Sequence, residues 1–479
     1  MGLMNHAVRH EVRSLLADRI VWVAVLALLV LSGYATWVGV QTAEERAQQV
    51  VAAQEEERER YEALREVMVE VEAGNASLSP FQDPTRPYVA GRNRGRKFAT
   101  LPPAPFQAAA VGQSDLIPPV VAVTLDDADL RGAQEEIENP VHLLAGPLDL
   151  AFLVTFLLPL LALALSFDMV SREREQGTLA LLLSQPNSPR RILAAKAGVR
   201  WLLLLLATVG GTGAALLLLG TEVSVTHMAA WAGVVALYLA FWIGLAALVN
   251  ATGRDSARNA VVLAFLWLVF VIVIPAGVQI SAGLLHPVPS RAELVALERE
   301  EVRQVQEEAA SVLARYYDDH PELLPEGTVD EVDFQTRAFA VNREVAERLG
   351  PVRATYRESL ESQQEWIRGL RWSSPTILAY ELLVELAGTG DGRIRSFEDQ
   401  VEAFHQEWLE YFGPRIYADQ RLVPADMDAF PLWEFRERGG RETARALLPG
   451  YLGLLLLSAL VAGVVMRLFR PGPGQRWGP

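Results

Sequence analysis

The sequence predicts a mainly α, polytopic membrane protein, in which six transmembrane helices carry a large, mostly helical extracytoplasmic domain with a small mixed α/β part. Three observations lead there. Six long apolar stretches interrupt the 479-residue chain, basic residues crowd one set of their flanks, and the acidity behind the formal charge of −15 is confined to two long intervening segments. A mean hydropathy of +0.18 beside 21% charged residues requires such segregation.

Each apolar stretch is near the roughly 20 residues that cross about 30 Å of hydrocarbon. They are Ile20–Val40, Leu150–Phe167, Trp201–Gly220, Ala229–Val249, Asn259–Leu285 and Leu447–Met466. With their margins they place spans one to six at 20–40, 148–170, 199–220, 229–250, 259–285 and 447–467. The first is too long for the apolar core of a secretory signal and lacks a clear A-x-A cleavage site, so it is expected to be retained.

Basic residues in short flanks set the orientation. Arg9, Arg13 and Arg19 precede span one; Arg172, Arg174, Arg190, Arg191 and Lys196 lie between spans two and three; Arg254 and Arg258 lie between four and five; Arg467, Arg470 and Arg476 follow span six. The 221–228 loop has none. Segments 1–19, 171–198, 251–258 and 468–479 are therefore expected to be cytoplasmic, both termini included, in the bacterial inner membrane. Segments 41–147 and 286–446 are expected outside. They carry net charges of −8 and −13, which leaves +6 for the remainder.

Several function classes fall away. No cysteine occurs, which excludes thiolate metal sites, disulfides and cysteine nucleophiles. Only two lysines occur, Lys97 and Lys196, and neither completes a GxxxxGK[ST] phosphate loop, so no ATP or other cofactor is expected on this chain. An acidic total argues against nucleic acid as a partner. No Asp, Glu, Lys, Arg or His falls inside the six apolar stretches, whereas ion-coupled carriers need such groups at depth. His6 and His10 stand at i, i+4 without an HExxH motif or a third ligand and read as helix surface, and no Ser/His/Asp grouping emerges from spacing.

Outside the membrane, no proline occurs from Ile20 to Glu72, and the run beyond span one is rich in helix formers. The spacing predicts one helix that continues outward for about 48 Å at 1.5 Å per residue. Tyr61, Leu64, Met68 and Val71 form an apolar stripe on it. A second stripe, Leu294, Val302, Val305, Ala309, Val312 and Tyr316, follows Pro289. The two suit either a paired stalk or separate packing on local domains. Between them, eight prolines in 77–131 and the β-like VVAVTL mark the mixed part, with Arg92, Arg94, Arg96 and Lys97 as either an anion-binding patch or a solvated loop. Pro159 and Pro275 predict kinks in spans two and five.

The most informative stretch is Asn139–Lys196. Behind span two comes a charged segment, Ser171–Gln176, then a short amphipathic helix over Thr178–Ser184 stopped by Pro186 and Pro189. A helix of that kind lies on lipid or docks into a partner.

This pattern resembles the permease subunits of ABC-2-type ATP-binding cassette transporters, whose E-x-E-x-G-T-L element and following proline form the coupling helix. The matching residues are Glu173, Arg174 between the two acids, Glu175, Gly177, Thr178, Leu179 and Pro186. The stretch His6–Asp18 resembles the interface helix before span one in the same proteins. Further pieces resemble a branch with large ectodomains that contain a domain of unknown function. They are AVGQSDLIP with Gly112, Gln113, Ser114, Asp115 and Pro118, then NPVHLLAGPLDLAF, WSSPTILAYELLVELAGTG and FEDQVEAFHQEWLEYF.

The resemblance implies a permease that couples hydrolysis by a separate cytoplasmic ATPase dimer, with its ATP and Mg, to translocation. It implies a second permease copy or paralogue, contact with membrane lipid, and a possible periplasmic partner. Glu173 and Glu175 are then expected to pair with basic residues of the ATPase groove or to be solvated at the lipid surface. Compact relatives have short loops where this chain has long segments, so no lipid or polysaccharide substrate carries over. The alternatives are mechanotransmission, in which the ectodomain moves a partner and no solute crosses, and a membrane scaffold or receptor. An integral-membrane hydrolase lacks its catalytic constellation.

Overall fold

The computed structural model describes residues 2–112, 114, 117–126, 128, 148–178, 189–222, 224–308 and 334–468. Helix α1 (Gly2–Ala17) ends at Asp18, whose carboxylate accepts the Ile20 N–H at 3.0 Å and starts α2 (Arg19–Glu72). Helix α2 runs unbroken for 54 residues, about 81 Å at the usual rise. The two ladders Lys97–Thr100 (β1) and Val120–Val123 (β2) pair antiparallel, Lys97 opposite Val123 and Thr100 opposite Val120. The first four residues of the β-like VVAVTL thus form a strand.

The remaining bundle helices are α3 (Leu150–Ala164), α5 (Pro189–Leu218), α6 (Val225–Asn250), α7 (Ser256–Leu285) and α12 (Gly440–Leu468), with a short α4 (Ser171–Glu175) after α3. Among the described residues five helices, α2, α5, α6, α7 and α12, are long and apolar enough to cross a membrane. This is a multi-pass membrane protein. Span two differs from its expected 148–170: α3 covers about 22 Å at 1.5 Å per residue, and turns occupy 165–170. Helix α6 sits at the centre, packed on α3, α5, α7 and α12, with Trp231, Tyr238 and Trp242 fully buried.

Both prolines act through π turns. Leu153–Leu157 precedes Pro159 and Val269–Val273 precedes Pro275, a longer-ring turn that spaces the proline ring from the carbonyl it would strike. A proline also withdraws an N–H, and carbonyls about one turn earlier take side-chain donors instead. Tyr238 donates its hydroxyl to Thr155 O at 2.8 Å, and Ser374 donates to Phe270 O at 2.6 Å.

That second bond comes from a distant part of the chain. The segment 286–446, expected wholly outside, sends a hairpin back into the bundle. Helix α8 (Arg291–Glu307) packs on α9 (Phe334–Leu370), α9 descends, and α10 (Pro375–Ala387) returns between α6 and α12. Ser374 at the tip meets Phe270, the middle of α7, and Thr376 lies 3.0 Å from Tyr238, the middle of α6. Leu378, Leu382 and Leu383 join the bundle core. Ser374 caps α10 through the Thr376 N–H, and Gly388 ends it in the left-handed conformation. Helix α10 is 13 residues, too short to register as a span, so hydropathy alone placed it outside. Ionisable residues consequently do enter the bundle, carried by Arg368, Arg371 and Glu381 on this hairpin.

The second core lies beyond the bundle. Leu64 and Met68 of α2, the two strands, and α11 (Asp391–Tyr417) enclose Phe397, Trp408, Phe412 and Phe430. The Trp408 and Phe412 rings are 4.8 Å apart, and Trp408 donates to Gly91 O at 3.0 Å. Each stripe therefore packs locally: Leu64 and Met68 on this core, and Val305 of α8 on Val341 of α9. Ala309, Val312 and Tyr316 lie outside the described residues. Three of the four residues of the basic patch pair within the chain: Arg96 with Glu56 at 3.1 Å, Lys97 with Glu57 at 2.8 Å, and Arg92 with Asp126.

Candidate functional site: the charged joint behind the second span

The segment between α3 and α5 is bonded to four helices. Asn250, at the end of α6 and 1% exposed, accepts the Val170 N–H at 3.0 Å and donates to Ser166 O at 3.1 Å. Asn259 of α7 donates to Phe167 O at 3.3 Å. Arg200 of α5 donates to Leu165 O at 2.7 Å. The 165–170 turns expose peptide groups that no helix satisfies, and buried amides must find partners. These side chains supply them and fix the path of the chain.

Charge joins the same segment to α1. Glu11, 4% exposed, receives Arg200 and, at 3.2 Å, Lys196. Lys196 also reaches Glu173 at 2.6 Å, so one ammonium bridges α1 and α4. Burial opposes ionisation of Glu11, but Arg200 and Lys196 outweigh it and hold its carboxyl below the ordinary carboxylate range. Arg172 adds Asp168 at 3.3 Å and Asp18 at 3.7 Å.

The residues of the E-x-E-x-G-T-L element are placed as follows. Glu173 pairs with Lys196, and Glu175 accepts the Ser256 N–H at 2.7 Å, at the first turn of α7. Ser171 and Ser256 share a hydroxyl contact at 2.8 Å. Arg174 reaches Arg254 O at 3.5 Å. Gly177 adopts φ +71°, which a side chain would strain, and lets the Thr178 N–H return to Glu173 O at 2.9 Å. Both acids, expected to face a partner groove or the lipid surface, are thus engaged inside the chain. The half-buried Lys196 and the first turn of α7, where Asp255 already caps the Arg258 N–H at 2.8 Å, favour negative partners nearby, and Glu173 and Glu175 are in reach. Leu179 and Pro186, with the amphipathic helix expected up to Ser184, lie outside the described residues.

Sequence reasoning did not single out Glu11, Arg200, Asn250 or Asn259. A signal existed: Lys196 and Arg200 stand at i, i+4 where the apolar run of span three begins, a costly place for two cations unless an acid meets them.

The other motif pieces converge elsewhere, at the junction of bundle and second core. Asp149, just before α3, accepts the Val111 N–H at 2.8 Å and the Phe152 N–H at 2.7 Å. Gly112, at φ +57°, has no room for a side chain, because a Cβ would lie 2.5 Å from the Thr389 hydroxyl. Ser114 donates to Val111 O at 2.5 Å, and Arg46 of α2 reaches both Ser114 O and, at 3.0 Å, Ile117 O. Gly39 allows the same loop to lie on α2, where a Cβ would sit 2.1 Å from Ala108 O. Pro118 leads into β2; Gln113 and Asp115 lie outside the described residues. These residues do structural work: they lock a loop between α2, α3 and the α10–α11 turn. Among the described residues no group of three His, Asp or Glu side chains is placed to hold a metal.

Residues 292–436 match the model of a domain of unknown function (DUF3526). Over 149 residues the chain is 35% identical to a protein of Stutzerimonas stutzeri named probable ABC transporter permease protein NosY, covering 29% of this chain and 54% of that one. A protein of the same name from Pseudomonas aeruginosa is 46% identical over 68 residues, 14% of this chain and 25% of its own length. The chain thus spans about half of the first relative and a quarter of the second. It is similar to ABC transporter permeases and carries a large additional domain.

Proposed function

We propose that this chain is the membrane subunit of an ATP-binding cassette transporter, worked by a separate ATPase that docks at the end of the bundle where α1 and α4 lie. The observation that carries the reading is the joint itself. A push on the segment after α4 reaches α5 through Lys196 and Arg200, α6 through Asn250, α7 through Glu175 and Asn259, and α1 through Glu11. A docking helix transmits force only if its base is fixed to the elements that move. Glu173 and Glu175 provide that fixture in this reading, and contact with the ATPase falls to Thr178 and the residues beyond it. The similarity to permeases named as ABC transporter subunits supports the same assignment. ATP and Mg would reside in the ATPase, the termini would be cytoplasmic in the inner membrane, and a second permease would complete the assembly.

The absence of native cysteine makes the test direct. A single cysteine in place of Thr178 is expected to cross-link to the co-expressed ATPase in a nucleotide-dependent manner, while one in place of Thr221, in the loop at the opposite end of α5, is not. An ATPase that does not co-purify, or equal cross-linking from both positions, refutes the assignment.

A second reading is favoured by α2. One unbroken helix joins the bundle to the distal core, where Leu64 and Met68 are fully enclosed, so movement of its base must move that core. In this reading the work is delivered to a partner outside the membrane. ATP hydrolysis by reconstituted complexes that depends on such a partner, with no solute moved, distinguishes it from transport.

A further inference from the structure

A cavity of about 980 Å³ opens beside the hairpin, between α3, α7, α9, α10 and the start of α12. It is at the upper end of the range for small-molecule sites. Its two ends differ in chemistry. The deep part is apolar, walled by Phe152, Phe156, Val271, Val278 and Ile377, and it reaches the level of the two kinked turns. The upper part is lined by five guanidinium groups, Arg368, Arg371, Arg395, Arg438 and Arg445.

Not all of that charge is compensated. Arg371 stands 3.7 Å from Glu381, Arg438 stands 3.6 Å from Glu385, and Arg395 pairs with Asp391. The fourth lining acid, Asp149, is spent on the Val111 and Phe152 amides. Arg368 and Arg445 have no ion-pair partner among the described residues. The Nε of Arg371 is buried and has no hydrogen-bond partner there either. Leaving that one buried donor unmet beside an apolar wall is expensive.

We propose that this cavity is a binding site for an anionic amphiphile, an acidic headgroup held by Arg368, Arg371 and Arg445 with a single hydrocarbon tail laid against the Phe152–Ile377 wall. Planar guanidinium forks suit phosphate and carboxylate oxygens. Phe152, Phe156, Val271, Val278 and Ile377 offer a hydrocarbon tail an apolar surface to lie on. Among the described residues no group of three acids is placed there to hold a metal ion.

The test needs no ATPase, so its failure leaves the proposed function standing, and the reverse also holds. The intact, delipidated protein is released from neutral detergent in a native mass spectrometer with lysophosphatidic acid, lysophosphatidylcholine or inorganic phosphate. One lysophosphatidic acid should be retained per chain in preference to the zwitterionic lipid, with no retention of phosphate. The double substitution Arg368→Gln, Arg445→Gln should weaken that preference about tenfold or more, the loss of about 1.4 kcal/mol or more in charge-assisted bonds. Ile377→Trp, which fills the apolar wall, should weaken it with the arginines intact, and Arg254→Gln at the other end of the bundle should not. A preference that survives the arginine pair, or that Arg254→Gln weakens equally, marks ordinary boundary lipid and overturns the proposal. Phosphate bound as well as the lipid marks a free-anion site and overturns it too.

Discussion

Replacing Tyr238 by phenylalanine removes one oxygen from the centre of the bundle and keeps the ring. That hydroxyl is fully buried, donates to Thr155 O at 2.8 Å, and lies 3.0 Å from the Thr376 hydroxyl. It therefore ties the proline-broken turn of α3 to the hairpin tip, where Ser374 in turn ties the broken turn of α7 at 2.6 Å. The ring keeps its edge contacts with Trp242 at 6.1 Å, so packing changes little. What changes is that a carbonyl which Pro159 leaves without an N–H loses its substitute donor, at a depth where no water replaces it. An unmet buried acceptor costs about 1–3 kcal/mol, and Tyr238→Phe is expected to destabilise the intact chain by that amount. The assay is reversible unfolding in mixed micelles titrated with dodecyl sulfate, followed by the intrinsic fluorescence of the 11 tryptophans. Ser374→Ala should cost a similar amount. Because both bonds converge on the tip, the double variant should depart from additivity by more than about 0.5 kcal/mol. A Tyr238→Phe protein within about 0.5 kcal/mol of the parent, or a strictly additive pair, would refute the claim that the hairpin tip holds the two kinks together.

Other outcomes follow from the same contacts. Lys196→Met leaves Glu173 without its partner while Glu11 keeps Arg200, so a loss of about 1–3 kcal/mol is expected, below that of a fully broken buried pair. A cysteine in place of Thr178 should become more reactive in that background, and unchanged labelling would show that Lys196 does not hold the segment. Trp408→Ala empties the centre of the distal core and should cost about 3–5 kcal/mol, read as faster proteolysis within 397–430 while the bundle helices stay protected. Gly39→Val has no room beside Ala108 O and should loosen the 104–114 loop, seen as faster amide exchange there. Burial lowers the pKa of His405, against smaller opposing contributions from the Thr124 backbone and Glu402. The folded domain thus prefers neutral imidazole: its stability is complete above the unfolded value of about 6.5 and declines as pH falls through it. His405→Gln should flatten the melting profile between about pH 7.5 and 5.5, and an unaltered slope would exclude His405 as its source.

Composition and periodicity alone determined a good deal about this protein. Six apolar stretches, the long helix through Glu72, the strand at VVAV, and the charged element after span two are local properties. Hydrophobic transfer and helix propensity act on neighbours in sequence, so windows of about 20 residues carry them. The same locality explains what tertiary structure alone decided. Helix α10 is apolar but half a span long, and its place inside the bundle depends on the Ser374–Phe270 and Tyr238–Thr376 contacts, made across more than a hundred positions. Glu173 read as a surface acid until Lys196 and Glu11 came within reach of it. The arginines around the cavity come together from the end of α9, from α11, and from α12 and the segment before it, far apart in sequence. Burial of a polar group is settled by whichever distant residue arrives to satisfy it, and a sequence window holds only one side of that bond.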